Sequence, residues 1–322
     1  MLKSFRIPFA MNIAGELSAP HEAEKGQHYS CPSCGERALF RKGPKNAAHF
    51  SHTAGNACSA ETVLHKTAKL LIQQTVTAWR AGQASAPCIH RGVCRSCGGG
   101  IIIPLPDYIT HAQIERRLDD GSIADVALCN VGDEVAATVE IYVTHAVDKE
   151  KATRLPVHFV ELAGEEVIAN PLLWTPRTHN LKAIPPYCPQ CREAYSRFHA
   201  GARAVAESAG IPLPTAYYRY GVSRCRSCQR EILLYAWPRE RFPDDEAVDG
   251  HPMPETFRHK VTAKREYWLN TCPYCHAIQT DFIHHGPLAF FGVDCSGLSP
   301  ADWRRDMIRI ARHSVANGLL DE

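Results

Sequence analysis

The strongest pattern along the chain is that of one long amphipathic helix, SAETVLHKTAKLLIQQTVTAWRAG. Its apolar side chains recur at intervals of three and four residues, Ser59 suits the N-cap, and Gly82 follows the last turn. Beside the apolar stripe run Glu61, His65 and Lys69, spaced so that they share one helix face. This face is either a row of solvated ion pairs or part of a functional site, and the spacing favours neither.

Alternating apolar and polar positions then predict three antiparallel strands within HAQIERRL, SIADVALC and VAATVEIYV. The dipeptide Gly132-Asp133 suits a two-residue type II′ turn between the second and third strands. In that register Val131 faces Glu134 and, farther along, Asp125 lies opposite Glu140.

The turn at Asp120-Gly121 decides which residue of the first strand lies across from Asp125. A two-residue turn places Arg116 there, and a loop that is longer by one residue places Glu115 there. After the third strand, AVDKEKATR predicts a helix and VHFVEL a strand, so the order gives a crossover helix and a parallel strand. The predicted fold class is α/β.

Two opposed carboxylates in a half-buried sheet need an explanation. Cross-strand Cβ atoms lie roughly 5 Å apart, so Asp125 and Glu140 repel each other unless a cation lies between them or one is protonated. The pair suits a hard divalent ion such as Mg²⁺, and Tyr142 points to the same face as Glu140. On this hypothesis, removing either acid does not destabilise the metal-free protein. The alternative is that both acids lie on a solvated face.

Composition and charge narrow the classes of function. The 322 residues suffice for roughly two domains, and a hydrophobic content of 45% can fill buried cores. The net charge of +2 does not draw the chain to a polyanion, so binding to DNA requires a local basic patch. The sequence shows neither the apolar core of a signal peptide nor a run of about 20 apolar residues. We therefore expect a cytoplasmic protein that does not bind membranes.

Cysteine usage points to metal. Thiols stay reduced in the cytosol, which argues against a disulfide framework for the 14 cysteines. Ten of them form five Cys-x-x-Cys pairs, a spacing with which two thiolates reach one tetrahedral Zn²⁺. The CPYC pair is also typical of redox dithiols, but strand-like alternation follows it, which favours zinc for the set. The pairs are Cys31/Cys34, Cys94/Cys97, Cys188/Cys191, Cys225/Cys228 and Cys272/Cys275.

The last two pairs predict a four-cysteine zinc ribbon. Cys225/Cys228 and Cys272/Cys275 are flanked by strand-like runs, REILLYAW and AIQTDFI. Four thiolates complete a structural zinc site. Such a ribbon is also a candidate surface for protein partners.

The first pair has five candidate ligands for four places. Among them we favour Cys31, Cys34, His52 and Cys58, with His49 as the reserve. These ligands would form an N-terminal zinc-binding module.

The middle pairs leave two arrangements open. Cys94/Cys97 join Cys188/Cys191 across the intervening sequence, or they close locally with Cys88 and His90. We therefore expect two to three structural zinc sites.

Five segments are predicted along the chain. They are a zinc-binding module (1–58), a core (59–175), a linker with a Cys-x-x-Cys pair and a short helix (176–220), the ribbon (221–298) and a C-terminal basic amphipathic helix (299–322). The last helix begins at Ser299-Pro300 and carries four arginines opposite its apolar face. These arginines either bind phosphates or form a solvated face. They are Arg304, Arg305, Arg309 and Arg312.

The order of these features resembles the PD-(D/E)XK nuclease core and, more closely, the competence protein CoiA family. The residues that carry the resemblance are CPSCGERALFRKGPKNAAHFSH, then SAETVLHKTAK, ADVAL and VEIYVTHAVDKEKA, from about residue 25 to 165. The resemblance implies a CoiA-like nuclease domain that cleaves DNA. It also implies that Glu61, Asp125 and Glu140 surround one or two Mg²⁺ or Mn²⁺ ions.

Tyr142 departs from the pattern of the family. The superfamily usually has lysine two residues after the strand glutamate, and CoiA-like proteins often have glutamine. A phenol with an ordinary pKa near 10 can orient a water but supplies no positive charge at neutral pH. Lys69, Lys149 and Lys151 are candidate replacements, and Lys151 ranks first because it follows the strand closely. The alternative function is a zinc-stabilised nucleic-acid-binding or scaffold protein with a non-catalytic nuclease core.

Overall fold

The chain forms two compact units. The structure is a computed structural model, and it describes residues 6–43, 47–52, 58–144, 157–236, 254–262, 265–279 and 302–316. Unit 1 comprises residues 1–92 and 102–184, and unit 2 comprises residues 93–101 and 185–322. Across those described stretches, every helix is too short or too polar to cross a lipid bilayer.

Unit 1 contains most of the described strands. β6 ends at the first residue of unit 2, whereas β7 begins in unit 2 and ends in unit 1. In chain order the elements are β1 (Arg6–Ile7), β2 (Ala10–Met11), β3 (Leu17–Ser18), β4 (Leu39–Arg41), β5 (His49–Ser51), α1 (Ala60–Arg80), β6 (Cys88–Val93), β7 (Gly100–Pro104), β8 (His111–Arg117), β9 (Ile123–Cys129), β10 (Val135–Tyr142), β11 (His158–Ala163), α2 (Gly164–Ala169), β12 (Leu173–Trp174) and β13 (Pro176–His179). β1, β4 and β5 form a small N-terminal sheet in the order β1-β5-β4.

The long helix is confirmed as α1. The Ser59 hydroxyl accepts a hydrogen bond from the Thr62 backbone N–H at 3.0 Å, which caps the first turn. Gly82 follows with a φ of +73°, a left-handed conformation that glycine adopts without steric cost. The helix buries one apolar face against the sheet of unit 1, where Ala68, Leu71, Ile72 and Val76 join its core.

A five-stranded sheet carries the residues of the predicted core. Its order is β13-β11-β10-β9-β8. β8, β9 and β10 are antiparallel neighbours, β10 and β11 are parallel, and β13 is antiparallel to β11. The predicted order of strands and the mixed α/β class are therefore confirmed, whereas the predicted helix AVDKEKATR lies outside the described residues.

The predicted two-residue turn at Gly132-Asp133 is wrong. Asn130 donates its backbone N–H to the Glu134 carbonyl at 3.0 Å, which leaves a three-residue loop that ends with Asp133 at a φ of +60°. The Asn130 side chain stabilises this loop, since its Oδ1 accepts the backbone N–H groups of Gly132 and Glu134. A one-residue bulge at Ala136 then shifts the register back.

The turn between β8 and β9 is also a three-residue loop. Leu118 donates its backbone N–H to the Ser122 carbonyl at 2.8 Å, and Gly121 has a φ of +84°. Ile114 pairs with Val126 and Arg116 with Ala124, so Glu115 is the residue across from Asp125. Of the two predicted alternatives, the structure contains the longer loop.

The described residues of unit 2 form two long helices and two hairpins. Its elements are α3 (Pro189–Ala209), β14 (Arg219–Arg224), β15 (Glu231–Ala236), β16 (Phe257–Thr262), β17 (Arg265–Asn270) and α4 (Trp303–Ala316). α4 buries Met307, Ile310 and Ala311, as its amphipathic pattern predicted, and the predicted start at Ser299-Pro300 lies outside the described residues. A fully buried ion pair ties α4 to β14, with Arg219 Nη2 at 2.8 Å from Asp306 Oδ2.

Candidate functional site

Strands β9 and β10 pair over part of their length and then separate. Their register ends at Val139 and Val126. Beyond it, the start of β9 pairs with β8 and the end of β10 pairs with β11. Asp125 and Glu140 are the next residues in the register, so they lie where the two strands part. We call these two positions the strand fork.

The carboxylate of Asp125 bridges the strand fork. Its Oδ2 accepts the Ile141 backbone N–H at 2.9 Å and lies 3.1 Å from His65 Nε2. Its Oδ1 accepts a hydrogen bond from Lys69 Nζ at 3.3 Å. The helix face whose role the spacing left open therefore contacts the acid of β9, and part of the positive charge beside Asp125 comes from the protein itself.

These contacts keep Asp125 ionised. Burial on its own would raise the pKa of this carboxyl, but the hydrogen bonds from His65 and the Ile141 backbone, and the charges of His65 and Lys69, lower it from 3.8 to about 2. At neutral pH the side chain is a carboxylate. The structure argues against the expectation that removing this acid leaves the metal-free protein stable, because a buried ammonium would lose an acceptor.

Lys69 is the buried cation of the site. Its side chain is only 6% exposed, and Nζ also lies 3.1 Å from Glu115 Oε1. Lys66 contacts the same oxygen at 3.1 Å. Hydrogen bonds from Lys66 and Lys69 lower the pKa of Glu115. Two carboxylates from neighbouring strands thus share one buried ammonium, which offsets the cost of its desolvation.

A second buried glutamate lies beside Glu140. Glu161 on β11 is in register with Glu140 on β10, and both side chains are buried, at 2% and 3% exposure. Residues in register on neighbouring strands point to the same face of a sheet. The carboxylates of the central strands therefore form a row, Asp125, Glu140 and Glu161, that continues past the strand fork.

Tyr142 contacts an arginine from the edge of the sheet. The guanidinium carbon of Arg177, on β13, lies 3.5 Å from the centroid of the Tyr142 ring. Arg177 Nε lies 3.9 Å from Glu161 Oε2. The row of carboxylates therefore has basic side chains at both ends, Lys69 near Asp125 and Arg177 near Glu161.

The remaining predicted catalytic residues are placed differently. Glu61 is exposed and accepts a hydrogen bond from the Thr144 hydroxyl just beyond β10. Lys149 and Lys151 lie outside the described residues. Within the described ranges, the sets of three or more candidate ligands whose atoms lie within 4.8 Å of one another include neither Glu61, Asp125 nor Glu140. In this conformation the three acids do not form a closed metal cage.

Sequence reasoning missed Glu161 and Arg177. A signal for Glu161 was present, because VHFVEL places an acid between apolar residues of a buried strand, as VEI does around Glu140. For Arg177 there was none, since its contact with Tyr142 depends on the pairing of β13 with β11.

Four of the five Cys-x-x-Cys pairs adopt the same turn. In each, the first cysteine carbonyl accepts the backbone N–H of the residue four positions later, at 2.9 to 3.0 Å. The residue that donates this N–H, directly after the second cysteine, has a positive φ in every case. Glycine favours this conformation, and Gln229 and His276 also adopt it. The four turns begin at Cys31, Cys94, Cys225 and Cys272. The Cys188/Cys191 pair instead begins α3.

These pairs converge into three four-residue clusters, each with its ligand atoms within 4.8 Å of one another. Backbone N–H groups point at several of the sulfurs, for example Cys188 N at 3.3 Å from Cys94 Sγ. Four cysteine or histidine ligands at this separation can hold zinc. The clusters are Cys31, Cys34, His52 and Cys58; Cys94, Cys97, Cys188 and Cys191; and Cys225, Cys228, Cys272 and Cys275.

The clusters also decide between the alternatives left by the spacing. Cys94/Cys97 meet Cys188/Cys191, and Cys88 lies elsewhere, with its thiol 3.4 Å from the Ala86 carbonyl. His49 lies outside the first cluster, where Nδ1 is 2.9 Å from the Ala47 carbonyl. Cys272/Cys275 form a turn and do not begin a helix, as the zinc interpretation expects.

A fourth group joins His111, Cys129 and Asp133. Asp133 already accepts hydrogen bonds from His111 Nε2 at 2.9 Å and Arg116 Nη1 at 3.1 Å, and these contacts lower its pKa. Because an arginine occupies the carboxylate, this group holds the hairpin loop after β9 in place rather than forming a metal site.

We expect purified protein to contain three zinc ions per chain, one for each cluster. Cys225→Ser should lower the content by one ion and destabilise unit 2, because metal-binding free energy is folding free energy at such sites. Elemental analysis together with protein quantification measures this. Cys88→Ser is the matched control and should keep all three ions. A content of one zinc or less in protein that has not met a chelator contradicts the assignment.

We expect Asp125→Asn to lower the free energy of unfolding by about 2 kcal/mol at neutral pH, the value that a pKa shift of this size represents. Since the folded pKa lies below the unfolded one, this contribution is present above about pH 4 and is lost as the pH falls through about 2. The free energy of unfolding is measured by chemical denaturation of the full chain, with the zinc sites loaded and no Mg²⁺ or Mn²⁺ added. Asp107→Asn, at a fully exposed aspartate, is the control. Equal stability of Asp125→Asn and the parent would show that the bridge contributes nothing.

Comparison with known families gives one result. Residues 16–61 match the family model described as Competence protein CoiA, N-terminal domain. No curated protein and no solved structure gives a significant match. The matched segment contains the first zinc-type cluster and the start of α1, and over that segment the chain is similar to the CoiA family.

Proposed function

We propose that the chain is a metal-dependent nuclease that hydrolyses DNA phosphodiesters at the strand fork. The observation that carries the proposal is the row of carboxylates between Lys69 and Arg177, with Asp125 half-buried and Glu140 and Glu161 buried. Phosphodiester hydrolysis requires anionic ligands for cations and positive groups for the developing charge, and this row combines both. The similarity of residues 16–61 to CoiA supports the same assignment.

The donor set of the row suits a hard divalent cation. Asp125 is ionised at neutral pH, and carboxylate oxygens are the ligands that Mg²⁺ and Mn²⁺ prefer. Asp125 and Glu140 would hold the ion, with Glu61 and Glu161 as further candidate ligands. When bound, such an ion lowers the pKa of a coordinated water and neutralises charge on the phosphorane.

The chain's own residues have separate tasks in this proposal. Lys69 is a positioning residue, because its buried ammonium holds Oδ1 of Asp125 and keeps that side chain ionised. His65 and the Ile141 backbone fix Oδ2. The Tyr142 hydroxyl can orient a water but brings no charge. Lys151 stays a candidate for the charge that Tyr142 lacks.

The finer assignments belong to the same proposal. The helix α1 on a mixed sheet, with β10 and β11 parallel, supports a PD-(D/E)XK nuclease core in unit 1. The cluster of Cys225, Cys228, Cys272 and Cys275 between short hairpin strands supports a zinc ribbon in unit 2. We propose DNA as the substrate, protein partners for the ribbon, and a cytoplasmic location.

A second function is favoured by one specific observation. The oxygens of Asp125 already accept three hydrogen bonds from protein groups, so the repulsion between carboxylates is relieved without a metal ion. This arrangement fits a zinc-stabilised nucleic-acid-binding or scaffold protein with a non-catalytic core. The two functions differ in whether a divalent ion produces turnover.

The proposal predicts that the protein nicks supercoiled plasmid with Mg²⁺ or Mn²⁺ and that EDTA stops the reaction. Glu140→Gln should lower the initial rate by about 100-fold or more, as is typical when a preorganised charged group is removed from a reacting centre. The rate is followed by gel densitometry at fixed ion concentration, with the zinc content and melting temperature of each protein checked.

Glu166→Gln is the matched control, because it makes the same substitution at an exposed position of α2 and should cleave like the parent. A Glu140→Gln protein that nicks at the parental rate would locate the activity elsewhere. A parent that never nicks with either ion would leave the scaffold function as the better account.

A further inference from the structure

We propose that Arg177 binds a phosphate group of the nucleic-acid substrate beside Glu140 and that the Tyr142 ring holds the guanidinium in position. This inference rests on the nuclease function proposed above and deepens it by naming the residue that recognises the substrate backbone. The position of Arg177, its accessibility and the chemistry of its surroundings each support it.

The position of Arg177 brings it to the carboxylate row from the edge strand. Tyr142 is the last residue of β10 and lies two residues after Glu140, so both side chains leave the same face of that strand. Arg177 lies on β13, which is separated from β10 by β11. The contact of 3.5 Å between its guanidinium carbon and the Tyr142 ring centroid means that the side chain reaches across the intervening strand.

Accessibility distinguishes Arg177 from the other cation of the row. The Lys69 side chain is 6% exposed and is shared by Asp125 and Glu115, so it is not available to a bulky anion. The Arg177 side chain is 45% exposed, while its ion-pair partner Glu161 is 2% exposed. One side of the guanidinium therefore faces a buried carboxylate and another side meets solvent.

The chemistry of this contact suits a phosphate. Arg177 Nε is 3.9 Å from Glu161 Oε2, a separation beyond a direct hydrogen bond, so this pairing leaves donors of the planar fork available. A guanidinium stacked on an aromatic ring is fixed in orientation, and its parallel N–H groups match two phosphate oxygens. The Tyr142 ring thereby positions a full positive charge beside Glu161, which is the register neighbour of Glu140.

The role of the ring gives distinct expectations for substitutions at Tyr142. Phenylalanine retains the face on which the guanidinium stacks, so Tyr142→Phe should bind nucleic acid like the parent. Tyr142→Leu removes the π system and should weaken binding several-fold, because a cation over a ring is stabilised by about 1 kcal/mol, or roughly fivefold. Tyr142→Lys would place an ammonium against the guanidinium and should displace it.

The test is binding of a fluorescently labelled DNA duplex in buffer without Mg²⁺, Mn²⁺ or chelator, so that the zinc sites stay loaded. Binding is measured by anisotropy over a series of salt concentrations. Arg177→Gln should raise Kd about tenfold, and the slope of log Kd against log salt should fall by about 0.9, the value for one lost phosphate contact. Arg177→Lys should keep the parental slope, because it keeps the charge. Arg117→Gln, at an exposed arginine of the opposite edge strand, is the control for loss of one surface charge.

The same proteins are assayed for plasmid nicking with Mg²⁺, which separates this inference from the proposed nuclease function. If Arg177→Gln binds with the parental Kd and slope, or no more weakly than Arg117→Gln, the inference is overturned. If the parent never nicks plasmid, but Arg177→Gln lowers the salt slope and Arg117→Gln does not, the phosphate site is supported and the proposed nuclease function is not. A melting temperature equal to that of the parent assigns the change in slope to the lost contact.

Discussion

The hydrogen bonds to the Asp125 carboxylate connect the helix and the strands of unit 1. Lys69 and His65 approach it from α1, and the Ile141 backbone N–H approaches it from β10. A buried ammonium is expensive without an acceptor, and a buried carboxylate is expensive without donors, so each group depends on the other. The interaction also fixes where β9 leaves β10, since the carboxylate takes a backbone N–H beyond the last paired residues of the two strands. The shape of the strand fork follows from this one bridge.

The sheet illustrates which features of a fold can be predicted from the alternation of apolar and polar residues. Asp125 and Glu140 come directly after the last pair of β9 and β10, Val126 with Val139, and so lie opposite each other in the predicted register. The turn from which this register was predicted is nevertheless wrong. Two departures compensate: the loop held by Asn130 contains one residue more, and the bulge at Ala136 adds one residue to β10. Burial of alternate residues constrains the strand as a whole, because a one-residue slip would turn every apolar side chain outward. Loop length is decided by local hydrogen bonds, which the apolar pattern does not report.

The cysteine clusters were more predictable than the acidic site because the relevant interactions are local. The geometry of a Cys-x-x-Cys turn is set by the residues of the turn itself. Four residues after the first cysteine the backbone has a positive φ, which Gly35 and Gly98 adopt without steric cost because they lack a Cβ. The ligands favoured for the first cluster, with His52 and not His49, are the ones that the structure brings together. The partner of Cys94/Cys97 was not decidable in this way, because it depends on how the chain returns about 90 residues later, as the pairing of Cys97 with Cys188 shows.

The charge balance around Glu140 depends on contacts between residues that are distant in sequence. A search along the chain for a substitute lysine looks near Tyr142, where the strand ends, whereas the structure supplies cations from α1 and from β13. Each of these pairs with an acid on a neighbouring strand, Lys69 with Asp125 and Arg177 with Glu161. Electrostatic groups are tied to a site by distance and burial and not by sequence position, so a site can keep its charge while the residue at a given strand position changes. A neutral ring at the end of β10 is therefore compatible with a positively charged boundary to the carboxylate row.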